Sequence, residues 1–551
     1  MKGGLIESLL AALAQHWALI LVALFLTWHI KNRYHNGLNK YPGPFLASLT
    51  DWWRFFDVYK QRPERTLRAL HDKHGDIVRT GPNSLSFSDP AALKSIYGLN
   101  KGFIKASMHS HSNFYIVQQS VVNGFRLASL FSTTDNDFHA QFRRSVNSAF
   151  AMSALVQYEP FVDNTTKLFL DQTERLFVGK PEGCDFTTWL QFYAFDVIGE
   201  ITYSKRHGFL EKNEDVEGIV GYLSKLFLYV APVGQIPFLD LIFLKNPIYL
   251  KLSQWGFVDS TFPVARFARA RMAERLIPEL NTNSTILPTT SPKKQPLGSD
   301  LLSKFIGARE ARPEFMTDSL VQTMAVSMAF AGSETTAITL SAVFYYLLRN
   351  RSCYEKLTKE LDDAARSNSF EDNETGLVTF AEAQKLPYLH ACIQEGFRMH
   401  PAPGLPMERI VPPQGVEILG EHIKGGTIVG VSAWQIHRRP EIFGPDVDEY
   451  RPERWLADPN EDADEEAKRI KKMNGMMFQF GMGSRTCIGK NISLLEIYKV
   501  VPSLMRRFDI NLRDPNKEWT IINAWFVKQT DFYVKFTRRE IVQGEIREKE
   551  S

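Results

Sequence analysis

Phe480-Gly481-Met482-Gly483-Ser484-Arg485-Thr486-Cys487-Ile488-Gly489 sets one cysteine in a glycine-rich loop and leads straight into a helical run, NISLLEIYKVVPSLMRRF. A thiolate that ligates a metal needs backbone N–H groups close to its sulfur. Glycines at 481, 483 and 489 leave room for that approach, because no Cβ obstructs it. The helix that follows adds the positive end of its dipole, which favours the anionic form of a nearby thiol. Phe480 can cover the face of a flat ligand, and Arg485 can reach an anionic group with charge-assisted hydrogen bonds. A lone cysteine in a turn reads as a buried structural residue. With an aromatic, an arginine and glycines at these spacings it reads as a thiolate ligand.

Upstream, Asp318 to Arg349 is apolar nearly all round and predicts a central, buried helix, with Thr317 as its N-cap and Asp318 in its first turn. In its middle lies Ala331-Gly332-Ser333-Glu334-Thr335-Thr336. A glutamate and two threonines are out of place in a buried helix unless they have work there. Gly332 costs about 1 kcal/mol of helix propensity against Ala and lets the helix open locally. Thr335 can bond the Ala331 carbonyl one turn earlier. Glu395 and Arg398 stand three apart on one helix face, able to pair while half buried, and Arg454 in Tyr450-Arg451-Pro452-Glu453-Arg454-Trp455 can complete a buried network. His139 and Arg143 in HAQFRR share a face at i,i+4, and Arg409 follows the Pro-rich PAPGLPMER stretch.

In this order, these segments resemble the cytochrome P-450 family. Residues 480–489 match its pattern FxxGxRxCxG at every defined position, 395–398 its ExxR pair, and 331–336 its oxygen-binding groove, with Glu334 where many members have Asp. The resemblance implies a mainly α fold with small β-sheets, triangular in outline, holding one haem b between the long helix and the cysteine loop. It implies Cys487 as iron ligand and Glu334 with Thr335 as the acid–alcohol pair that relays protons to dioxygen. Arg485, Arg143, His139 and Arg409 would hold the haem propionates, although many members have Trp at the position of His139, and Phe480 would cover the ring. Glu395, Arg398 and Arg454 would brace the core. YPGPFLASLTDWWRF, KGFIK and AGSETTA look most like the fungal pisatin-demethylase-like branch, whose members tailor secondary metabolites by hydroxylation or oxidative demethylation. No segment resembles a flavin or nicotinamide domain, so electrons would come from an external NADPH-dependent reductase, steered by Arg143, Arg144 and Lys490. By analogy the hydrophobic substrate would meet the loop His109 to Phe125, Phe330 and Ala331, Gly404 to Pro406, and the hairpin Asn523 to Phe526, with Phe114, Tyr115, Trp525 and Phe526 as aromatic lining. The alternatives are a haem-thiolate isomerase or dehydratase and a non-catalytic haem sensor; the acid–threonine pair argues against both.

At the other end, Leu9 to Ile30 carries no Lys, Arg, Asp or Glu, and roughly 20 apolar residues span a bilayer core as a helix. Trp17 and Trp28 stand near its ends, and Lys31, Arg33 and Lys40 follow it, which predicts a single-pass anchor with the body facing the cytoplasm, at the endoplasmic reticulum by the family likeness. Residues 1–40 would be anchor and basic flank, and 41–551 the catalytic domain, joined by the stiff elbow Tyr41-Pro42-Gly43-Pro44. Of 551 residues 44% are apolar, enough for a large core; 65 Lys and Arg against 62 Asp and Glu give +3, too balanced for a nucleic-acid-binding face. Cys184, Cys353, Cys392 and Cys487 form no CxxC pair and suit free thiols in a reducing compartment. Strands are expected at Ile77 to Arg79, Ser84 to Phe87, Val416 to Leu419, Thr427 to Val431 and Phe532 to Phe536. Asn281 to Asp300 reads as an exposed loop and Asp458 to Lys472 as a solvated insertion. The glycosylation-pattern matches at Asn164, Asn283, Asn373 and Asn491 are read as chance.

Overall fold

The computed structural model describes residues 2–99, 101–105, 114–276, 299–372 and 374–542, and for 2–14 and 276 the backbone alone. The protein is mainly helical with small sheets. Its axis is the helix Asp318–Arg349, opened by the Thr317 side chain, which accepts from Leu320 N. The sides of this central helix are covered by the helices Phe186–Tyr203, Pro263–Leu276, Pro387–Met399 and Lys490–Arg507. Phe186–Tyr203 is buried almost from end to end, as an interior helix apolar on all faces must be. Val216–Val233 is also long and apolar, but half of it is buried.

The central helix stays continuous through Ala331–Thr336, so Gly332 does not open it. A Cβ on Gly332 would sit 2.9 Å from Ile198 Cγ1; the missing side chain admits the neighbouring helix instead. Strands form where expected to within a residue or two: Ile77–Gly81, Ser84–Phe87 and Ile428–Val431 join the unexpected Arg409–Ile410 in a four-stranded sheet, Val416–Ile418 pairs with Glu421–Ile423, and Tyr533–Arg538 lies in a three-stranded sheet. Further short strands escape prediction, including Phe508–Leu512, which pairs with Tyr533–Arg538, while the hairpin expected at Asn523 to Phe526 forms as Thr520–Ala524 with Phe526–Thr530. The stretch Asp458 to Lys472 is largely helical, within Ala463–Met476, and mostly exposed. Most of Asn281 to Asp300, with Asn283, Asn373 and His109, lies outside the described residues. Asn164 and Asn491 turn their amides inward, Asn491 to Phe150 O at 2.9 Å.

The N-terminal helix runs Lys2–Tyr34, longer at both ends than the apolar run predicts. Its last carbonyls are capped by a buried side chain of the body: Arg79 donates to Asn32 O and Arg33 O at 2.7 Å each. Burial and the nearby Arg33 charge lower the Arg79 pKa to about 10. The elbow packs along the same strand, Arg79 N donating to Pro42 O at 2.7 Å. At Gly43 any Cβ would lie 2.1 Å from Arg79 O.

Glu395 is fully buried and shared by two guanidiniums. Arg398 donates to both its oxygens at 2.8 Å, and Arg454 Nε to Oε1 at 2.9 Å. Trp455 Nε1 and Arg451 N complete the shell at 2.9 Å each. The arginines spend their other N–H groups on backbone carbonyls, Arg398 on His437, Val447 and Glu449, and Arg454 on Phe443 and Asp446. Burial by itself would raise the Glu395 pKa, but Arg398 and Arg454 outweigh it and hold the carboxyl below its usual value. Its contribution to stability therefore persists through neutral pH and is lost only as pH falls through that lowered value. Glu395→Gln leaves buried cations uncompensated and should cost about 3–5 kcal/mol. The denaturant midpoint of the haem-loaded protein should fall accordingly, with the deficit shrinking as the titration moves toward acid.

Candidate functional site: a thiol beneath the central helix

The cysteine loop is closed by Cys487 N donating to Phe480 O at 2.8 Å, and the helix Lys490–Arg507 starts directly behind it. Gly481 and Gly483 both take φ +70°, in the left-handed region where glycine alone is unstrained, and a Cβ on Gly483 would strike Tyr97 O at 2.1 Å. Gly489 is different. Its φ is −81° and a Cβ there would meet the Cys487 sulfur at an ordinary 3.9 Å, so sterics alone do not require it. The first two glycines shape the loop rather than clear a path to sulfur.

Cys487 lies deep in the protein, yet its accessible surface faces inward, onto a cavity of about 280 Å³. Burial pushes its thiol pKa up, while the N–H groups of Gly489 and Lys490 and the charge of Arg143 pull it down. The central helix lines the other side with Phe330, Ala331, Gly332, Thr335 and Thr339. Thr335 Oγ1 donates to Ala331 O at 2.9 Å. Glu334 points elsewhere. It is buried, accepts from Gln191 Nε2, and lies 3.5 Å from Lys528 Nζ, which also donates to Gln191 Oε1 at 3.0 Å. Consecutive helical residues diverge by about 100°, so this acid and its alcohol face different compartments.

One rim of the cavity is a cluster of bases. His139, Arg143, Arg409 and Arg485 all line it, and the structure adds Lys105, absent from the sequence-derived set. Arg143 donates to Thr486 O at 2.7 Å, Arg485 to Asn136 Oδ1 at 2.7 Å, and Arg409 to the Tyr115 hydroxyl at 3.1 Å. Lys105 donates to Phe131 O, its ammonium 4.2 Å from the Tyr115 ring centre. Burial, then the charges of Arg409 and Arg485, pushes the Lys105 pKa far down. His139 is lowered to about 3 by burial and by Arg485, Lys105 and Arg143, and so is neutral. Among the described residues none of the five makes an ion pair with a carboxylate. Buried cations without anions are costly, and two carboxylates at this rim would relieve them. Haem fits that demand. Its propionates match the basic rim, Cys487 offers the axial thiolate, and Phe480, packed on Phe397 at 5.3 Å, lines the wall beside the sulfur.

The comparisons with known proteins agree. The family model for cytochrome P-450 matches residues 42–536. The chain belongs to the cytochrome P-450 family. It is 38% identical to cytochrome P-450 monooxygenase cicH of Emericella nidulans over 94% of this chain and 98% of that protein. A cytochrome P-450 monooxygenase of Aspergillus terreus is 39% identical over 85% and 90%, and asR2 of Sarocladium schorii 33% over 90% and 92%. The chain is thus a haem-thiolate monooxygenase, and Cys487 is the cysteine that its cavity presents to the iron. Of the sequence-derived residues, Cys487, Phe480, Arg485, Arg143, His139, Arg409 and Thr335 meet at one cavity, whereas Glu334 does not reach it. Lys105 left no sequence signal beyond KGFIK, since its aromatic neighbours Tyr115 and Phe131 stand 10 and 26 residues further along, outside any local motif.

Losing one charge-assisted contact costs about 1.5–3 kcal/mol. Lys105→Met and Arg409→Ala should each speed haem loss to apomyoglobin by roughly ten- to a hundredfold, with little change in far-ultraviolet circular dichroism.

Proposed function

We propose that this monooxygenase hydroxylates or oxidatively demethylates a hydrophobic small molecule of fungal secondary metabolism, taking electrons from an external NADPH-dependent flavoprotein reductase. The observation that carries the reading is the geometry of the cavity: a thiol at its floor, Thr335 across from it, a basic rim, and largely apolar walls that include Phe330 and Phe526. The resemblance to the pisatin-demethylase-like branch supports the substrate class, and the family likeness supports a reductase as electron donor. Arg144 and Lys490, both exposed, with Arg143 beside them, offer an acidic partner a basic approach.

Bound haem supplies the dioxygen and electron chemistry. The chain holds its sulfur ligand, excludes water and delivers protons. In this reading Glu334 takes protons from the partly exposed Lys528 side, and Thr335 hands them on at its hydroxyl inside the cavity. Glu334→Gln and Thr335→Val should both raise the hydrogen peroxide released per NADPH, with product falling in step. Unchanged peroxide yields in both would remove the pair from proton delivery. The iron ligand is tested by a reduced carbon-monoxide difference spectrum, where a strongly red-shifted Soret band should vanish in Cys487→Ala.

The anchor belongs to the same proposal. Along the N-terminal helix Trp17, Leu19, Phe25 and Ile30 are 60–67% exposed, which water disfavours and lipid does not. A second apolar surface, with Phe238, Phe243, Trp255 and Phe257 at 58–74% exposure, could rest on the same bilayer. An endoplasmic-reticulum membrane with the body in the cytoplasm fits Lys31, Arg33 and Lys40 behind the apolar run. Deleting residues 2–34 should make the protein extractable by alkaline carbonate, where the full chain stays in the pellet.

A further inference from the structure

The inner cavity has a neighbour. A smaller chamber of about 60 Å³ adjoins it, lined by Trp53, Arg54 and Asp57 on one side and by Leu405, Glu408 and Phe114 on the other. Trp53, Arg54 and Asp57 belong to the helix Trp52–Tyr59, whose Trp52 and Phe56 are 45% and 54% exposed. The small chamber therefore lies toward the surface. Trp525 lines both chambers.

That indole hangs from an unusual support. In the hairpin Thr520–Ala524 with Phe526–Thr530, Ala524 pairs with Phe526, so Trp525 alone makes the turn. Its φ is +78°, in the region where a side chain costs about 1–3 kcal/mol and glycine costs nothing. A position suited to glycine that carries the bulkiest side chain implies that the indole itself is what is needed there. The backbone beneath it is firmly held. Gly404 N donates to Trp525 O at 2.8 Å, Val527 N to Ala402 O at 2.9 Å, and Asn523 N to Gln61 O at 2.9 Å. Asn523 Nδ2 reaches Glu64 at 2.9 Å. With the hairpin pinned, motion is left to the side chain.

Around the indole stand other rings: Phe114 at 4.6 Å between centres and Phe131 at 5.7 Å. Phe114 cannot yield toward the chain at Gly234, where even an added Cβ would lie 2.4 Å from Phe114 Cδ2. Of these three rings Phe114 lines the outer chamber alone and Phe131 the inner alone; Trp525, 3% exposed, stands against both. We infer that Trp525 is the gate between the two chambers: ligands reach the inner cavity by way of the outer chamber when its indole swings aside, and its width decides which of them pass.

A gate and a wall differ in kinetics. If the door is mostly shut, entry is throttled by the fraction of time it stands open, and a minor state of this kind is typically populated at roughly 0.1–10%. Stopped-flow mixing of the full-length holoenzyme with 4-phenylimidazole, followed by the Soret shift as the azole meets the iron, reads that fraction. In Trp525→Gly both association and dissociation should accelerate, on the order of tenfold or more, with Kd little changed. Imidazole, much narrower, should gain far less. Trp525→Phe should fall between, which keeps the inference testable should the glycine variant lose haem. Glycine also relieves the turn, so its melting temperature should match or exceed that of Trp525→Ala. Two results would overturn the gate. One is unchanged rates for 4-phenylimidazole; the other is faster dissociation alone with a matching rise in Kd, which makes Trp525 a ligand-contacting wall.

Discussion

Taking a carboxylate and two guanidiniums out of water costs several kcal/mol per ion, and Glu395 recovers this only because all of its acceptor capacity is filled. Four groups converge on it, from Arg398, Arg451, Arg454 and Trp455. Each arginine then fastens carbonyls of the segment from Phe443 to Glu449. The network thus ties the helix Pro387–Met399 to the chain that precedes the cysteine loop. Phe397, one residue before Arg398, packs its ring on Phe480 at the loop's start. The charge network thus reaches the cysteine loop through this one ring contact.

Much of this was legible in the sequence because it is local. The glycine-rich loop around Cys487, the Thr317 cap and the Glu395–Arg398 spacing are each decided by residues a few positions apart. What escaped is what distant segments decide together. Lys105 becomes a rim cation only because Tyr115 and Phe131 wrap its ammonium. Glu334 turns from the cavity because Gln191 and Lys528, far away in the chain, satisfy it. Gly332 exists for Ile198. Strands of two or three residues, such as Arg409–Ile410 and Glu421–Ile423, were missed because they are too short to display a period of two.

The basic rim and the thiol impose opposite demands on one space. Lys105, Arg409 and Arg485 need anions, whereas the sulfur is ringed by donors that favour its own negative charge. A ligand that serves both must be anionic at one edge and electrophilic at its centre, and the rest of the cavity is apolar. Bound haem would therefore present its propionates to Lys105, Arg409 and Arg485 and its iron to Cys487.

Helical geometry then sets a constraint on proton supply. Thr335 and Glu334 diverge by about 100° around the helix, and the structure turns the hydroxyl to the cavity and the carboxylate to Lys528 and Gln191. An ionised carboxylate beside the ring would compete with the substrate's apolar contacts and draw water in. Placed behind the helix, it is paired at 3.5 Å with a lysine that is itself 21% exposed, so it keeps a link to solvent without wetting the cavity. In the proposed relay the path from Glu334 is indirect, and Thr335 is the hydroxyl of the pair that lines the cavity. The same hairpin that brings Lys528 to Glu334 carries Trp525 at its tip, so one element, held to residues 402–404, serves the acid on one side of the central helix and the ligand chamber on the other.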